Sequence, residues 1–395
     1  MNITSIIAEY NPLHNGHLYH IEKTKSNTKC DGLIIIISGN FVQRGEPAII
    51  DKWRRTELAL LAGADLVLEL PTVYAVNSAE FFAFGSVSLL NQLNCVKSLS
   101  FGSEEGSLSL LHKIAATLVL EPDDYKSQLK ALLDLGISFP AARAKALMNY
   151  YNDDTIGTII NQSNNILSIE YLKALKRLNS PICPTTVKRL GGSYNSTEMD
   201  RVFSSATSIR TTMKKGAKLN ELNLAIPSYV FDALFNDSLC YLEDIYPYLR
   251  FKTLTDESSI KNIPDAKEGL ENRILKNLIE YKTFDDFSIN TMSKRYPLTR
   301  INRILTQYFI GFEKFDTYSM RREIPAYGRI LGFNDTGKAM LKIIKKNSNL
   351  QLISKVPQNL ENPMLRLDIA STKAYSIINS KINPNEDYLK SPIII

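Results

Sequence analysis

The sequence predicts an α/β protein: a parallel sheet with helices on both faces, a helical insertion, and a mostly helical second half. Three observations carry that expectation. Short apolar runs alternate with helix-spaced segments through the first part of the chain. Those runs are hydrophobic throughout, which suits strands covered on both faces. From about Leu108 the pattern turns helical.

Ile3 to Ala8 is the first strand and stops at Glu9. His14 to about Lys25 has the spacing of a helix. Leu33 to Ser38 is a β-branched run ending in Ser38-Gly39-Asn40. Lys52 to Ala62 is helical, with Trp53, Leu58 and Leu61 as expected buried positions. Ala64 to Leu70 is a strand halted by Pro71. Ser78 to Asn91 is a helix, and Val96 to Phe101 a strand ended by Gly102. The helical insertion covers about 105–150. Ser168 to Asn179 is a helix and Pro184 to Leu190 a strand; Ser205 to Lys215 is a helix that opens on Ser/Thr capping chemistry. The expected division is 1–216 and 217–395. In the second part, Ile330-Leu331-Gly332 and Leu350 to Ile353 suit strands, while Ile393 to Ile395 suits either a strand or a loose end.

Composition bounds the function classes. The 395 residues are 44% hydrophobic and 22% charged, ordinary for a soluble protein. No apolar run approaches the roughly 20 residues that cross a bilayer, so no membrane role is expected. The N-terminus lacks a basic region followed by a long apolar one, so a secretory signal is not expected and the cytoplasm is. Cys30, Cys95, Cys183 and Cys240 are scattered without CxxC spacing, which argues against a structural zinc site or a disulfide framework; no metal-ligating set is assigned. A net charge of +6 permits a nucleic-acid partner and fits a small anionic substrate equally well.

Chemistry concentrates near the N-terminus. Of four histidines, three are His14, His17 and His20. They follow a strand and open a helix, whose N-terminal N–H groups and dipole favour phosphate. Gly16 allows close approach to the backbone. His14 and His17, three apart, share a face of the first turn. Imidazoles there can donate hydrogen bonds to phosphate oxygens as charge develops. His20 suits either a phosphate contact or a solvated surface; His112, in the insertion, reads as a structural or surface residue. The His-x-Gly-His pattern after a first strand is similar to the signature of the HIGH nucleotidyltransferase superfamily.

Further pieces point to the same crevice, because ligands of open α/β sheets sit beyond the carboxyl ends of the strands. In SGNFVQRGEP, Arg44 suits an anion, and Asn40 and Gln43 a base or small carboxylate. Gly102 in SFGSE, the Asn164-Asn165 pair before a helix, and Arg189 at a strand end fall where nucleotide contacts occur. SSATSIR resembles the late Ser-Ser-Thr-x-Ile-Arg motif of small adenylyltransferases, with one residue inserted between Ser205 and Thr207. Ser205, Thr207 and Arg210 are therefore candidate triphosphate contacts, and an ordinary helix cap is the alternative. TMSKR imitates a synthetase loop but lies past the expected nucleotide fold. Lys294, Arg295, Arg300 and Arg303 are candidate RNA-backbone contacts, a solvated helix face being the alternative.

Taken together, AEYNPLHNGHLYH, SGNFVQRGEPAI, DLVLELP, SAEFFAFGSVSLLN, SFGSE, NNILSIEYLKALK, SSATSIR and SKRYPLTRINRIL resemble the bacterial tRNA(Met) cytidine acetate ligase family. The resemblance implies a Rossmann-like HIGH nucleotidyltransferase domain. It implies that ATP, with Mg2+ as its partner, and acetate give acetyl-adenylate. The acetyl group then passes to the wobble cytidine of elongator tRNA(Met), held by the second domain. It implies an ATP site at Ile7, Ala8, Glu9, Tyr10, Asn11, Pro12, Leu13, His14, Asn15, Gly16, His17, Leu18, Tyr19 and His20, with Gly102, Asn164 or Asn165, and Arg189; His14 and His17 would be catalytic. Two other readings stay open: an adenylyltransferase for a small phosphorylated metabolite, and a non-catalytic RNA-binding protein.

Overall fold

Ile3–Ala8 (β1) pairs in parallel with Gly32–Ser38 (β2), Ile6 beside Ile35, in a computed structural model that describes residues 1–190, 202–216, 222–256 and 258–395. Between them runs Asn15–Thr28 (α1). Phe41–Val42 (β3) and Glu46–Pro47 (β4) form a small hairpin. Lys52–Leu61 (α2), Leu66–Leu70 (β5), Ala79–Gln92 (α3) and Val96–Ser103 (β6) follow. The insertion is three helices, Leu108–Leu120, Asp123–Asp134 and Phe139–Tyr151. Ser163–Arg177 (α4) leads to Cys183–Lys188 (β7), and Ala206–Lys214 (α5) closes the first half. The segment that begins the second half, at 217, lies outside the described residues. Beyond it, Leu298–Ile310 (α6) precedes Tyr327–Phe333 (β8), Asp335–Asn347 (α7), Gln351–Ile353 (β9), Pro363–Ile378 (α8) and Ile393–Ile394 (β10).

The main sheet runs β10-β8-β5-β2-β1-β6-β7, with β9 also beside β8. β2 is central, and Leu33 to Ile37 have no exposed surface. Its side chains alternate between two apolar layers: Leu33, Ile35 and Ile37 join one, and Ile34 and Ile36 the other. That is why the run is apolar throughout. β1 lies between β2 and β6, so the chain leaves β1 toward one side of the sheet and later crosses to the other. Such a switch point opens a crevice at the carboxyl ends of the strands.

To the expected parallel sheet the structure adds an antiparallel strand at one edge. β8 pairs antiparallel to β5, Glu69 beside Arg329 and Leu66 beside Phe333. The strand-like pieces of the second half thus complete the sheet of the first, and Ile393–Ile394 adds a short parallel strand on β8. The sheet runs across the division expected at 216. Gly337 at the start of α7 shows how close the join is: a Cβ there would meet the Asp65 carbonyl oxygen at 1.9 Å.

Buried charges stitch the same edge. Lys52 on α2 pairs with Glu69 on β5 at 2.7 Å and with Asp387 at 2.8 Å. Arg329 on β8 reaches Asp387 at 2.8 Å and Glu69 at 3.5 Å. Beneath the crevice Arg55 is fully buried. Its guanidinium donates to the carbonyls of Glu9 (2.8 Å), Ser38 (3.0 Å), Ile50 (3.1 Å) and Gly39. One cation therefore satisfies the frayed ends of β1 and β2. Replacing Arg55 by Met leaves those carbonyls buried and unpaired, with an expected loss of about 3 kcal/mol or more, readable in a urea unfolding midpoint.

Two sequence expectations shift locally. Trp53 and Leu58 are buried, but Leu61 is 52% exposed, because α2 ends there and Leu60 turns inward instead. The helix expected from Ser168 begins five residues earlier, at Ser163.

Candidate active site

His14 is the N-cap of α1, not a member of its first turn. Its Nδ1 accepts the Gly16 N–H at 3.0 Å, and the His17 Nδ1 accepts the His14 N–H at 3.3 Å. This is a reciprocal capping box made of two imidazoles. With Nδ1 accepting in both rings, each neutral ring carries its proton on Nε2. The ring centres are 3.8 Å apart. Gly16 is required by the packing: a Cβ would meet the His14 ring at 2.8 Å. The pattern His-x-Gly-His is thus a folded unit in which one ring lies over the glycine.

Burial, then the Arg189 guanidinium, lowers His14 from 6.5 to about 3. His17 is pushed well below its usual value by burial first and then by His14, Arg189 and His20. His20 falls to about 4 by burial and Arg189. All three rings are neutral at pH 7, so they offer hydrogen bonds rather than charge. A triphosphate brought among them opposes the shift. The sign for stability follows. Below about 6.5 the unfolded chain takes up protons that the folded rings refuse, so stability falls as pH drops from about 6.5 toward about 3. His14→Gln is expected to flatten that fall by up to about 1.4 kcal/mol per pH unit, measured as the difference between the two proteins' unfolding free energies at pH 5 and pH 8.

A cavity of about 130 Å³ opens at the carboxyl ends of β1 and β6. From the expected set, Ile7, Ala8, Glu9, Tyr10, Asn11, His14, His17 and His20 line it, with Gly102, Asn164, Arg189 and Arg210. An adjoining cavity of about 30 Å³ shares the three histidines, Gly102 and Arg189, and adds Gly16, Tyr19 and Ser205. The switch-point crevice and the histidine cap therefore meet. Tyr10 holds the turn with a left-handed backbone (φ 50°), a conformation that costs a bulky side chain energy. Its ring lies edge-on to His17, centres 4.9 Å apart. The Glu9 carboxylate accepts the Gln43 N–H at 2.7 Å, and burial raises its pKa.

Other expected residues lie outside the lining. Leu13 is fully buried in the core. Asn15 pins the helix start, its Nδ2 donating to the Leu224 carbonyl at 2.8 Å. Pro12, Leu18 and Thr207 do not line either cavity. The His20 Nε2 meets the Ser100 hydroxyl at 3.2 Å, tying α1 to β6, and its ring faces both cavities. His112 is exposed.

Glu104 holds the two asparagines in different ways. Its carboxylate accepts the Asn164 side-chain N–H at 2.6 Å and the Asn165 backbone N–H at 2.8 Å, capping α4. Asn165 is fully buried, and its oxygen accepts the N–H groups of Glu104 and Glu105. Asn164 is the one at the cavity. Ser205 is the N-cap of α5, accepting the Ser208 N–H at 3.0 Å, with Ser204 and Ser205 on the smaller cavity. Arg210 is committed to Glu46 at 2.6 Å and to the Asn11 carbonyl at 2.6 Å. Asn40 is buried between Lys52 and Thr372, so of the hairpin residues Gln43 faces the cavity.

The apolar wall was missed in the sequence. Phe82, Phe101, Leu167 and Tyr171 line the cavity. Asn164, Leu167 and Tyr171 recur at three and four along α4, so one helix face carried a readable signal. Among the basic residues of the second half, Lys294 and Arg295 are exposed. Arg300 donates to the Asp265 carbonyl at 3.0 Å. Arg303 is half-buried at the hairpin, where a Cβ on Gly45 would meet its backbone N at 2.2 Å.

Comparison with known proteins identifies the family and the fold. The family model described as HIGH Nucleotidyl Transferase matches residues 1–389. A protein of Clostridium novyi (strain NT) named tRNA(Met) cytidine acetate ligase is 48% identical over 400 residues, covering all of both chains. The chain belongs to the tRNA(Met) cytidine acetate ligase family of HIGH nucleotidyl transferases. A family member from Clostridium acetobutylicum is 48% identical over 404 residues, again with both chains fully covered. Crystal structures of Thermotoga maritima TmcAL, 32% identical with full coverage of both chains, superpose with TM-scores of 0.93 for the apo form and 0.90 for the form bound with alpha-thio ATP. The family's Rossmann-like fold, with a mostly parallel sheet and a helical region after it, is the fold of this chain.

Among the described residues, no helix is long and apolar enough to cross a membrane, and no three His, Cys, Asp or Glu side chains cluster to hold a metal ion.

Proposed function

We propose that this chain is an ATP-dependent ligase acting in the cytoplasm. It joins acetate to AMP and passes the acetyl group to the wobble cytidine of elongator tRNA(Met), giving N4-acetylcytidine. The observation that carries the reading is the histidine cap: two neutral rings, each with Nε2–H available, at a helix N-terminus beside the switch-point cavity. The shared name of the full-length relatives favours it over the small-metabolite and non-catalytic readings.

Acetate is ionised at neutral pH and needs no base to attack. Its oxygen forms a bond to the α-phosphorus while the bond to the β-phosphate bridging oxygen breaks, releasing pyrophosphate. Charge grows on the α-phosphate oxygens, where the His14 and His17 Nε2–H groups stabilise it. Arg189 adds positive charge beside them. The Ser205-capped N-terminus of α5 suits the outer phosphates, and Gly102 gives the nucleotide a flat backbone floor. Asn164 supplies a polar group at the cavity, with Asn165 holding the turn beneath it. Mg2+, commonly bound through phosphate oxygens and water with few protein ligands, would neutralise phosphate charge. In the second step the cytidine amine attacks the acetyl carbonyl, AMP leaves, and the amine loses a proton. Residues 217–395, with Lys294, Arg295, Arg300 and Arg303, form the RNA-holding part, and 1–216 the nucleotide-binding part.

The test is transfer of labelled acetate to RNA. With ATP and magnesium, label is expected in elongator tRNA(Met) and absent from the same tRNA carrying uridine at the wobble position. Equal labelling of both, or label in neither, would overturn the reading.

A further inference from the structure

Between the cavity and the helical region lies a set of cations and aromatic faces that adenylate chemistry does not use. The Arg321 guanidinium sits 4.4 Å from the Phe81 ring centre. That of Arg322 is 3.7 Å from the Tyr318 centre and 5.4 Å from the Phe81 centre. Lys267 approaches Tyr318 at 5.9 Å. Tyr318 is 52% exposed; Arg322 is exposed and Phe81 half-buried.

This cluster is tied to the cavity wall by a chain of hydrogen bonds. Phe81 adjoins Phe82, which lines the cavity. Arg321 Nη1 donates to Asn77 Oδ1 at 3.5 Å, and the Asn77 carbonyl accepts from Gln43 Nε2 at 3.1 Å. Gln43 in turn lines the cavity. Outward, Asp265 pairs with Arg321 at 3.0 Å and accepts from Arg300. Arg300 and Arg295 flank the Tyr296 ring at 5.7 and 5.5 Å.

An exposed guanidinium, an exposed ring and a half-buried one suit one class of partner: a polyanion with flat faces. A protein surface would match the charge or the rings, but an unpaired RNA loop supplies both phosphates and bases. The geometry of the reaction adds a reason. A base whose exocyclic amine reacts inside a cavity must leave its stack, and its neighbour then loses a stacking partner. We propose that the Phe81–Tyr318 face, flanked by Arg321 and Arg322, stacks the unpaired loop nucleotide next to the cytidine that enters the cavity. The inference rests on the RNA-acetylation reading above.

The test uses the full chain and an anticodon stem-loop hairpin with 2-aminopurine beside the target cytidine. In the wild type, binding is expected to quench the probe. In the Phe81→Ala/Tyr318→Ala variant the quench is lost and KM for the hairpin rises about tenfold or more. Its kcat at saturating RNA, and its acetate-dependent ATP–pyrophosphate exchange without RNA, stay within about twofold of wild type. Tyr318→Trp, which keeps a ring, retains quench and KM. A double variant with wild-type quench and KM would overturn the inference, as would a wild type that shows no quench. A wild type that quenches but does not acetylate would overturn the proposed function and leave this surface standing.

Discussion

His17→Ala is expected to lower acetate-dependent ATP–pyrophosphate exchange by about 100- to 1,000-fold, the usual cost of removing one aligned donor from developing charge. The loss should fall mainly on kcat, because the donor matters most when the α-phosphate gathers charge. The substitution also removes the acceptor for the His14 N–H, so about 1 kcal/mol of stability should go with it. That cost is too small to unfold a chain of this size, and a thermal melt in parallel separates the two effects. His14→Ala should behave alike, because the His14 Nδ1 accepts the Gly16 N–H. The double variant should be little worse than either single one, since the two rings act as a unit. Exchange in His17→Ala within a few-fold of wild type would remove the imidazole pair from the mechanism.

A chain ending at residue 216 is expected not to fold into a stable monomer, although it contains every described residue that lines the two cavities. Truncation strips β8 from β5 and leaves that strand an open edge. It removes Asp387 and Arg329 from the buried charges of Lys52 and Glu69. It also uncovers the apolar layer that Met340, Ile344 and Leu367 complete. Circular dichroism on heating should show no cooperative transition, and size exclusion should show aggregate. A monomeric fragment melting cooperatively near the temperature of the full chain would contradict the reading of the sheet as one unit.

The elements most legible in the sequence are those whose evidence is local. β1, β2, β5 and β6 are apolar runs bounded by Gly, Pro or polar residues, and their expected limits fall within about two residues of those observed. The His-x-Gly-His cap is equally local, since ring, glycine and helix start lie within one turn. What the sequence hides is contact at long range. Ile330-Leu331-Gly332 reads as a strand, yet nothing in it names β5 as its partner. Nothing local to Lys52 or Arg55 names the groups that receive them: Glu69 and Asp387 take the first, and the strand-end carbonyls the second. Asn164 and Asn165 are indistinguishable as letters; Glu104, brought across from the end of β6, assigns one to the cavity and the other to the core. Arg303 looked like its basic neighbours until the hairpin at Gly45 closed over its backbone.

The central claim, that this cavity joins acetate to AMP, is tested most directly by ATP–pyrophosphate exchange with purified protein and magnesium, with and without acetate, first without RNA and then with elongator tRNA(Met). The account predicts exchange that requires acetate. Exchange independent of acetate, or none even when the tRNA is present, would contradict it.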